Sequence, residues 1–185
     1  MAAVCLASSR TTVFIEKQMA LTREEVVEVL NGLLETCQDG VDGYRTAAGC
    51  VGDQWVSAAL LACIAGIEQA QQELRAEVQR FGGNPEIHGT VEGALHRGWI
   101  NLKSAGYGKD VGAVLDECER GEEDAARRYE MALDAKLPRE IRTMATRQRF
   151  GVLHNLERVR VLRRATADET SESPLPTGAA YPGPG

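Results

Sequence analysis

The sequence predicts an all-α protein, a single four-helix bundle with a long connection between its second and third helices. Its 185 residues suit one domain, and they combine 43% hydrophobic residues with only 5% aromatic ones. Ala, Leu, Glu and Arg, which favour helices, are abundant. Four stretches repeat apolar residues at alternating steps of four and three, as expected of helices that bury one face. Gly and Pro residues separate these stretches.

The first predicted helix begins after Thr22. Thr22 and Glu25 form a capping box, in which each side chain pairs with a backbone N–H of the first turn. The helix is expected to end near Gly49, and its apolar seam is Val26, Leu30, Leu33, Cys37, Gly40, Tyr44 and Ala47. Residues 1–21 show no sustained period and are predicted to form a flexible N-terminal extension. Met19 directly precedes the helix and is a candidate translation start, so the alternatives for residues 1–18 are a start-site artefact and a loose arm.

The second predicted helix spans residues 53 to 81 and ends at the turn sequence Gly82-Gly83-Asn84-Pro85. Its seam is Leu60, Ile64, Ile67, Gln71, Leu74, Val78 and Phe81. The connection that follows holds a predicted short helix from Thr90 to about Ala105, and it is far longer than the ~2–8 residues typical between antiparallel neighbours. Such a crossover makes helices two and three parallel, which is the ferritin-like topology.

Asp110 is predicted to cap the third helix, which is expected to end near Lys136. Its seam is Val111, Leu115, Cys118, Glu122, Ala125, Tyr129 and Ala132. The fourth helix begins at Leu137-Pro138, because proline at the first helical position loses no hydrogen bond. Its seam is Ile141, Ala145, Gln148, Val152, Asn155, Val159 and Leu162.

The bundle is therefore predicted to occupy residues 22–164. Residues 165–185 are rich in Pro, Gly, Ser and Thr and are predicted to form a disordered tail. Phe150, Leu153 and Val161 lie off the seam of the fourth helix. They indicate a second apolar face, through which copies of the chain would form a homo-oligomer.

Charge and cysteine content narrow the functional classes. The net charge of −6 argues against nucleic acid as a partner, because phosphate binding depends on a positive surface. No apolar run approaches the ~18 residues of a membrane span. The five cysteines include no CxxC pair, which argues against a disulfide framework or zinc ribbon and favours reduced thiols in the cytoplasm. The fourth helix is basic and the third acidic, so we expect the two to attract each other within the bundle.

Polar residues stand near the middle of three seams: Gln71, Glu122 and Gln148. Di-iron bundles need a glutamate from each of two helices and a Glu-x-x-His from each of the other two, and this chain contains no Glu-x-x-His. We therefore expect no cofactor and a layer that fixes helix register, with Glu122 bonded to Gln71 or Gln148, protonated or in reach of water. The alternative is an iron or manganese site formed by Glu68, Glu119 and Glu122.

A second candidate site lies in the crossover. His96 and Trp99 are one helical turn apart, so the imidazole is expected to stack on the indole while Arg97 reaches a carboxylate of the bundle. The alternative is that these three residues bind a small ligand or a partner.

Two segments resemble a bacterial family of ferritin-like four-helix-bundle proteins that is classed as a domain of unknown function. The segments are GTVEGALHRGWINLKSAG and AVLDECERGEEDAARRYEMAL, and Gly82-Gly83-Asn84-Pro85 precedes them. The resemblance covers about residues 22–164 and implies the fold without an activity. Its pattern often has a histidine near Leu156, so the leucine here weakens the metal hypothesis. Together these observations predict a non-catalytic protein with a structural or interaction role, related to stress by analogy of fold.

Overall fold

The computed structural model describes residues 21–85 and 110–171, which form five helices and, within those ranges, no β-strand. The helices are α1 (Arg23–Cys50), α2 (Gln54–Leu61), α3 (Ile64–Arg80), α4 (Val111–Asp134) and α5 (Arg139–Ser171). The predicted all-α bundle is confirmed. His96, Arg97 and Trp99, most of the predicted N-terminal extension and the end of the predicted tail lie outside the described residues.

Two of the predicted helix starts are confirmed by their caps, at Thr22 and at Asp110. The Thr22 backbone N–H donates to Glu25 Oε2 at 2.7 Å, and the Glu25 backbone N–H donates to Thr22 Oγ1 at 3.2 Å. At the start of α4, the Gly112 backbone N–H donates to Asp110 Oδ1 at 3.1 Å. These side chains satisfy N–H groups that the first helical turn leaves unpaired.

The predicted helix over residues 53 to 81 is in fact two helices, α2 and α3. At the break the Cys63 N–H donates to the Leu60 carbonyl three residues back, at 3.1 Å, and the Cys63 thiol donates to the Ala59 carbonyl at 3.6 Å. The step of four between Leu60 and Ile64 survives this turn, and both residues are buried. The hydrophobic pattern therefore gave no sign of the break.

The directions of the helices follow from contacts between them. α1 packs against α2, α3 and α4, while α5 packs against α4 and more sparsely against α3. Both α3 and α4 run antiparallel to α1, so they are parallel to each other, as the long crossover predicts. The contacts that set these directions are Arg45 with Glu68, Asn31 with Asn84, Tyr44 with Glu122, and Cys37 with Tyr129.

The core consists of two apolar clusters at either end of the bundle. The buried polar side chains Glu122, Gln148 and Asn155 lie on the same seams as the apolar residues of these clusters. Most residues of the predicted seams are buried, and the rest are half-buried. Gln71 is only half-buried and donates from Nε2 to Gln38 Oε1 at 3.0 Å, while Ala70 takes the buried position beside it.

Helix α5, which is the fourth helix of the prediction, extends beyond its predicted end at residue 164, to Ser171. The Thr166 hydroxyl donates to the Leu162 carbonyl at 3.1 Å inside this extension. The proline and glycine residues that mark the tail begin only at Pro174, so residues up to 171 are compatible with a helix. No helix among the described residues is long and apolar enough to cross a membrane.

A left-handed glycine ends α3. Gly82 has a φ of 82°, and the Gly83 N–H donates to the Val78 carbonyl at 3.0 Å, the bond of a Schellman motif. Residues with a Cβ rarely adopt this conformation. Gly32, by contrast, is exposed within α1, and a Cβ built there meets nothing within 4 Å.

The same substitution is therefore expected to have opposite effects at these two glycines. Gly82→Ala should lower the free energy of unfolding by about 1 kcal/mol because of the left-handed backbone. Gly32→Ala should raise it by about 1 kcal/mol because alanine is the better helix former. Urea denaturation measures both values, and an increase for Gly82→Ala would show that the end of α3 is wrongly described.

Candidate functional site

Among the residues described, the most deeply buried carboxylic acid is Glu122 of α4, whose exposed fraction is 6%. The Tyr44 hydroxyl donates to Glu122 Oε1 at 2.6 Å, and the Asn155 side chain forms a second hydrogen bond to the carboxyl group. Burial raises the pKa of Glu122 to about 7, against the lowering effect of these two hydrogen bonds. The carboxyl group is therefore poised to change charge near neutral pH.

A second set of polar side chains lies two helical turns away. The Tyr129 hydroxyl donates to Gln148 Oε1 at 3.1 Å and lies 3.3 Å from the Cys37 sulfur. Gln148 Nε2 donates to Glu73 Oε2 at 3.0 Å, and Arg147 binds the same carboxylate through two hydrogen bonds of 3.1 and 2.9 Å. This network connects the buried Cys37 with the exposed Arg147.

The buried thiols are held in their protonated form. Burial raises the pKa of Cys37 to about 11, and it also raises the pKa values of Cys63 and Cys118. Cys118 is buried on the α4 seam, as predicted for a small core residue. Because the thiolate is the reactive form, these cysteines are poor nucleophiles at neutral pH.

A cavity of about 380 Å³ lies beside Glu122, between α3 and α5. Its inner wall comes from α1 and α4 and includes Tyr44, Cys118 and Glu122. Gly66 of α3 and Gly151 of α5 are exposed and line its mouth, and a Cβ built at either meets nothing within 4 Å. These glycines keep an opening between two helices that touch only sparsely.

The three carboxylates of the candidate metal site lie in different places. Only Glu122 faces the cavity. Glu68 pairs with Arg45 at 2.9 Å on the surface between α1 and α3. Glu119 pairs with Arg160 at 2.7 Å between α4 and α5, and this hydrogen bond lowers the pKa of Glu119. Within residues 21–85 and 110–171, no group of three or more His, Cys, Asp and Glu side chains is arranged to hold a metal ion.

A di-iron centre of a ferritin-like bundle is held by four carboxylates and two histidines. The cavity wall also includes the carboxylates of Asp39 and Glu73 and the imidazole of His154. Glu73 is already bound by Arg147 and Gln148, and the carboxyl group of Glu122 is bonded to Tyr44 and Asn155. Among the described residues, this set does not fit two iron ions.

The predicted partners of Glu122, Gln71 and Gln148, were wrong: the partners are Tyr44 and Asn155. The sequence places Tyr44 on the apolar seam of the first helix, and its hydroxyl group carries the polar contact. Gln148 lies in the cavity wall as a polar side chain, but it pairs with Tyr129.

The sequence contains a spacing pattern that marks the two sets of buried polar side chains, the one around Glu122 and the one around Tyr129. Each of α1, α4 and α5 carries two polar seam residues seven positions apart, which places the two residues on one face two turns apart. These pairs are Cys37 and Tyr44, Glu122 and Tyr129, and Gln148 and Asn155. Because α4 is antiparallel to α1 and α5, the pairs combine into one layer with Glu122 and one with Tyr129.

The outer faces of α4 and α5 attract each other, as their opposite charges predict. Arg160 pairs with Glu119 at 2.7 Å and with Glu123 at 2.8 Å, and Arg163 pairs with Asp116 at 3.0 Å. These exposed pairs orient the two helices, although each contributes little to stability.

The order of the helices, the parallel pair α3 and α4 and the buried polar layers define a ferritin-like bundle. The family described as Domain of unknown function (DUF2383) matches residues 25–135, which is more than half of the chain, and the protein belongs to this family. The resemblance seen in the sequence is thereby confirmed.

The chain is similar to solved structures. One of them is a two-domain protein with DJ-1/ThiJ/PfpI-like and ferritin-like domains from Anabaena variabilis ATCC 29413, with a TM-score of 0.67 and 15% sequence identity. The alignment covers 87% of this chain and 45% of that one, so this chain spans less than half of its length. At this identity the likeness shows the fold alone. No curated protein matches the chain.

Proposed function

We propose that the protein acts by binding, without catalysis of its own, and that it holds a small molecule in the cavity between α3 and α5. The observation that carries this proposal is the cavity itself, whose volume of about 380 Å³ ends on the buried Glu122. Ligand sites of small molecules typically measure ~300–1,000 Å³ and combine apolar walls with a few polar groups.

The state of the reactive groups supports a non-catalytic role. The thiols of Cys37 and Cys118 stay protonated at neutral pH, and Glu73 is bound by Arg147 and Gln148. A catalytic nucleophile would need a lowered pKa or a neighbouring general base. Binding therefore accounts for the cavity with fewer requirements than a reaction does.

The alternative is a degenerate iron or manganese site that uses Glu68, Glu119 and Glu122. To meet, Glu68 and Glu119 would have to leave Arg45 and Arg160. Metal analysis of protein produced with iron and manganese supplied is expected to find less than one ion per chain. Stoichiometric metal that is lost in Glu122→Ala would favour the alternative.

Closing the mouth of the cavity is expected to abolish binding of a small apolar probe. The probe is 1-hexanol, followed by NMR shifts at residues of the cavity wall. Gly151→Leu should weaken binding by about tenfold or more, which corresponds to ~1.4 kcal/mol. Gly32→Leu is the matched control, because Gly32 is also exposed in a helix but lies outside the cavity. Equal binding by both variants would refute the proposed site.

The second apolar face of α5 supports the further proposal that the chain forms a homo-oligomer. Phe150 is 66% exposed and Val161 50% exposed, and Leu153 between them is half-buried. Burying this face against a second copy would remove it from water.

Phe150→Glu is expected to reduce an assembled wild-type protein to monomers, as measured by light scattering after size-exclusion chromatography. Met131→Glu is the control, since Met131 is 72% exposed on α4. A monomeric wild type, or the same dissociation in both variants, would exclude this face as the interface.

We also propose that the protein works in the cytoplasm of a bacterium and responds to stress. The stress role rests on analogy of fold alone. Its abundance in the source cells is expected to rise on oxidative or stationary-phase stress. Constant abundance, measured by quantitative proteomics, would remove this part of the proposal.

A further inference from the structure

The cavity wall presents a buried acid that lacks a positive partner. Tyr44 and Asn155 donate hydrogen bonds to Glu122, but no Lys, Arg or His of the described chain pairs with it. An ionised carboxylate can accept about four hydrogen bonds, so this group retains acceptor capacity. We propose that the ligand is a small organic ammonium ion whose charged head pairs with Glu122 and whose apolar body lies between α3 and α5.

This inference rests on the proposed binding function and adds the chemical class of the ligand. Burying a carboxylate is costly because the group loses its hydration. Folding has already removed this hydration from Glu122 before any ligand binds. An ammonium group beside Glu122 therefore gains the charge interaction without a further loss of hydration by the acid. The ligand must lose only its own hydration.

The rest of the wall favours an apolar body. Ile67 and Ala70 of α3 and Val152 of α5 line the space beside the acid. A hydrated metal cation would need several oxygen ligands, which these side chains do not supply. A carbon chain attached to the ammonium group would instead bury apolar surface against them.

The other charged groups of the wall do not neutralise Glu122. Glu73 and Arg147 pair with each other at the mouth. Burial raises the pKa of Asp39 to about 6, although Arg128 lowers it, so Asp39 is mostly ionised at pH 8 and about half ionised at pH 6. His154 is exposed and Arg158 half-buried, and both line the cavity along α5. Arg158 has no ion-pair partner among the described residues, so a carboxylate ligand on Arg158 is the competing outcome.

Calorimetric titration with hexylammonium, 1-hexanol and hexanoate separates these outcomes. At pH 8 hexylammonium is expected to bind about tenfold more tightly than hexanol, ~1.4 kcal/mol for the added charge pair. Lowering the pH to 6 should weaken hexylammonium binding about tenfold, because a Glu122 pKa of about 7 leaves ~10% of the acid ionised. Hexanol binding should not change with pH.

Glu122→Gln is expected to remove the preference for hexylammonium and to leave hexanol binding intact. Glu28→Gln, at an exposed glutamate of α1, controls for the loss of one charge. Tyr44→Phe provides a second test: it should move the pH dependence upward, because the Tyr44 hydrogen bond lowers the pKa of Glu122.

Failure of the inference and failure of the proposed function give different results. If hexanol binds and hexylammonium has no advantage, or hexanoate binds most tightly, the ammonium inference is wrong and the cavity remains a binding site. If neither hexanol nor hexylammonium binds, the proposed function is wrong as well.

Discussion

Glu122→Gln is expected to raise the free energy of unfolding by about 3 kcal/mol at pH 8 and to leave it nearly unchanged at pH 4. The pKa of Glu122 rises from an ordinary value of 4.5 to about 7 in the folded protein. Because each pKa unit corresponds to ~1.4 kcal/mol, ionising the buried acid costs about 3 kcal/mol. The amide is uncharged and avoids this cost, while it still accepts a hydrogen bond from Tyr44.

The sign of this effect sets its pH window. The folded protein holds the Glu122 proton more tightly than the unfolded chain, so this group lowers stability as pH rises from about 4.5 to about 7. Above pH 7 the penalty is constant. Chemical denaturation of the wild type and of Glu122→Gln across pH 4 to 8 measures this penalty. Because Asp39 is present in both proteins, its contribution cancels in the comparison. A difference that does not depend on pH would mean that Glu122 titrates like an exposed acid.

Glu122→Leu addresses the role of the same side chain in another way. If the polar layer serves helix register, the leucine variant keeps the fold and becomes more stable. If Glu122 is instead a metal ligand, the variant loses bound iron or manganese. Urea denaturation followed by circular dichroism, together with metal analysis, distinguishes these outcomes.

Tyr44→Phe is expected to lower the free energy of unfolding by about 2 kcal/mol at pH 8, a value typical of a lost hydrogen bond to a charged group. The Tyr44 hydroxyl lies 2.6 Å from Glu122 Oε1 and is buried with it. Its removal leaves the carboxylate with one donor fewer in an apolar setting. The loss should be smaller at pH 5, where the acid is neutral and the hydrogen bond is weaker.

A double-mutant cycle assigns this effect to the pair. When Glu122 is already Gln, Tyr44→Phe should cost less at pH 8 than it does in the wild type. Tyr129→Phe is the matched control, because it removes a buried hydroxyl that donates to Gln148 rather than to a carboxylate. An equal cost of Tyr44→Phe in both backgrounds would show that the two side chains do not interact.

Much of the fold could be predicted because apolar periodicity records which face each helix buries. The capping residues Thr22 and Asp110 marked two helix starts, and the length of the crossover predicted the parallel helices. The break at Cys63 could not be predicted, because a tighter turn that keeps the step from Leu60 to Ile64 leaves the pattern unchanged.

The candidate site was harder to predict because it depends on contacts between helices. Glu122 was recognised as a polar seam residue, but its partners depend on the relative heights of α1, α4 and α5. Tyrosine is also ambiguous in a sequence, since its ring suits an apolar seam while its hydroxyl bonds a buried acid. Gln71 is the opposite case: the pattern places it on the core face, but the neighbouring Ala70 takes the buried position and Gln71 bonds to Gln38 instead.

The family and fold leave the chemistry of the interior open, since a ferritin-like bundle is a scaffold on which different sites are built. Here the buried acid Glu122, two tyrosines and amide side chains occupy the middle of the bundle. The proposed ligand follows from that composition and from the space beside it.

The most direct test is an NMR titration of the Glu122 carboxyl carbon in the wild-type protein, with and without hexylammonium. The account predicts a midpoint near pH 7 that moves to lower pH when the ammonium ion is added, because the cation favours the ionised acid. A midpoint near 4.5 that hexylammonium leaves unchanged would contradict both the buried acid and its proposed ligand.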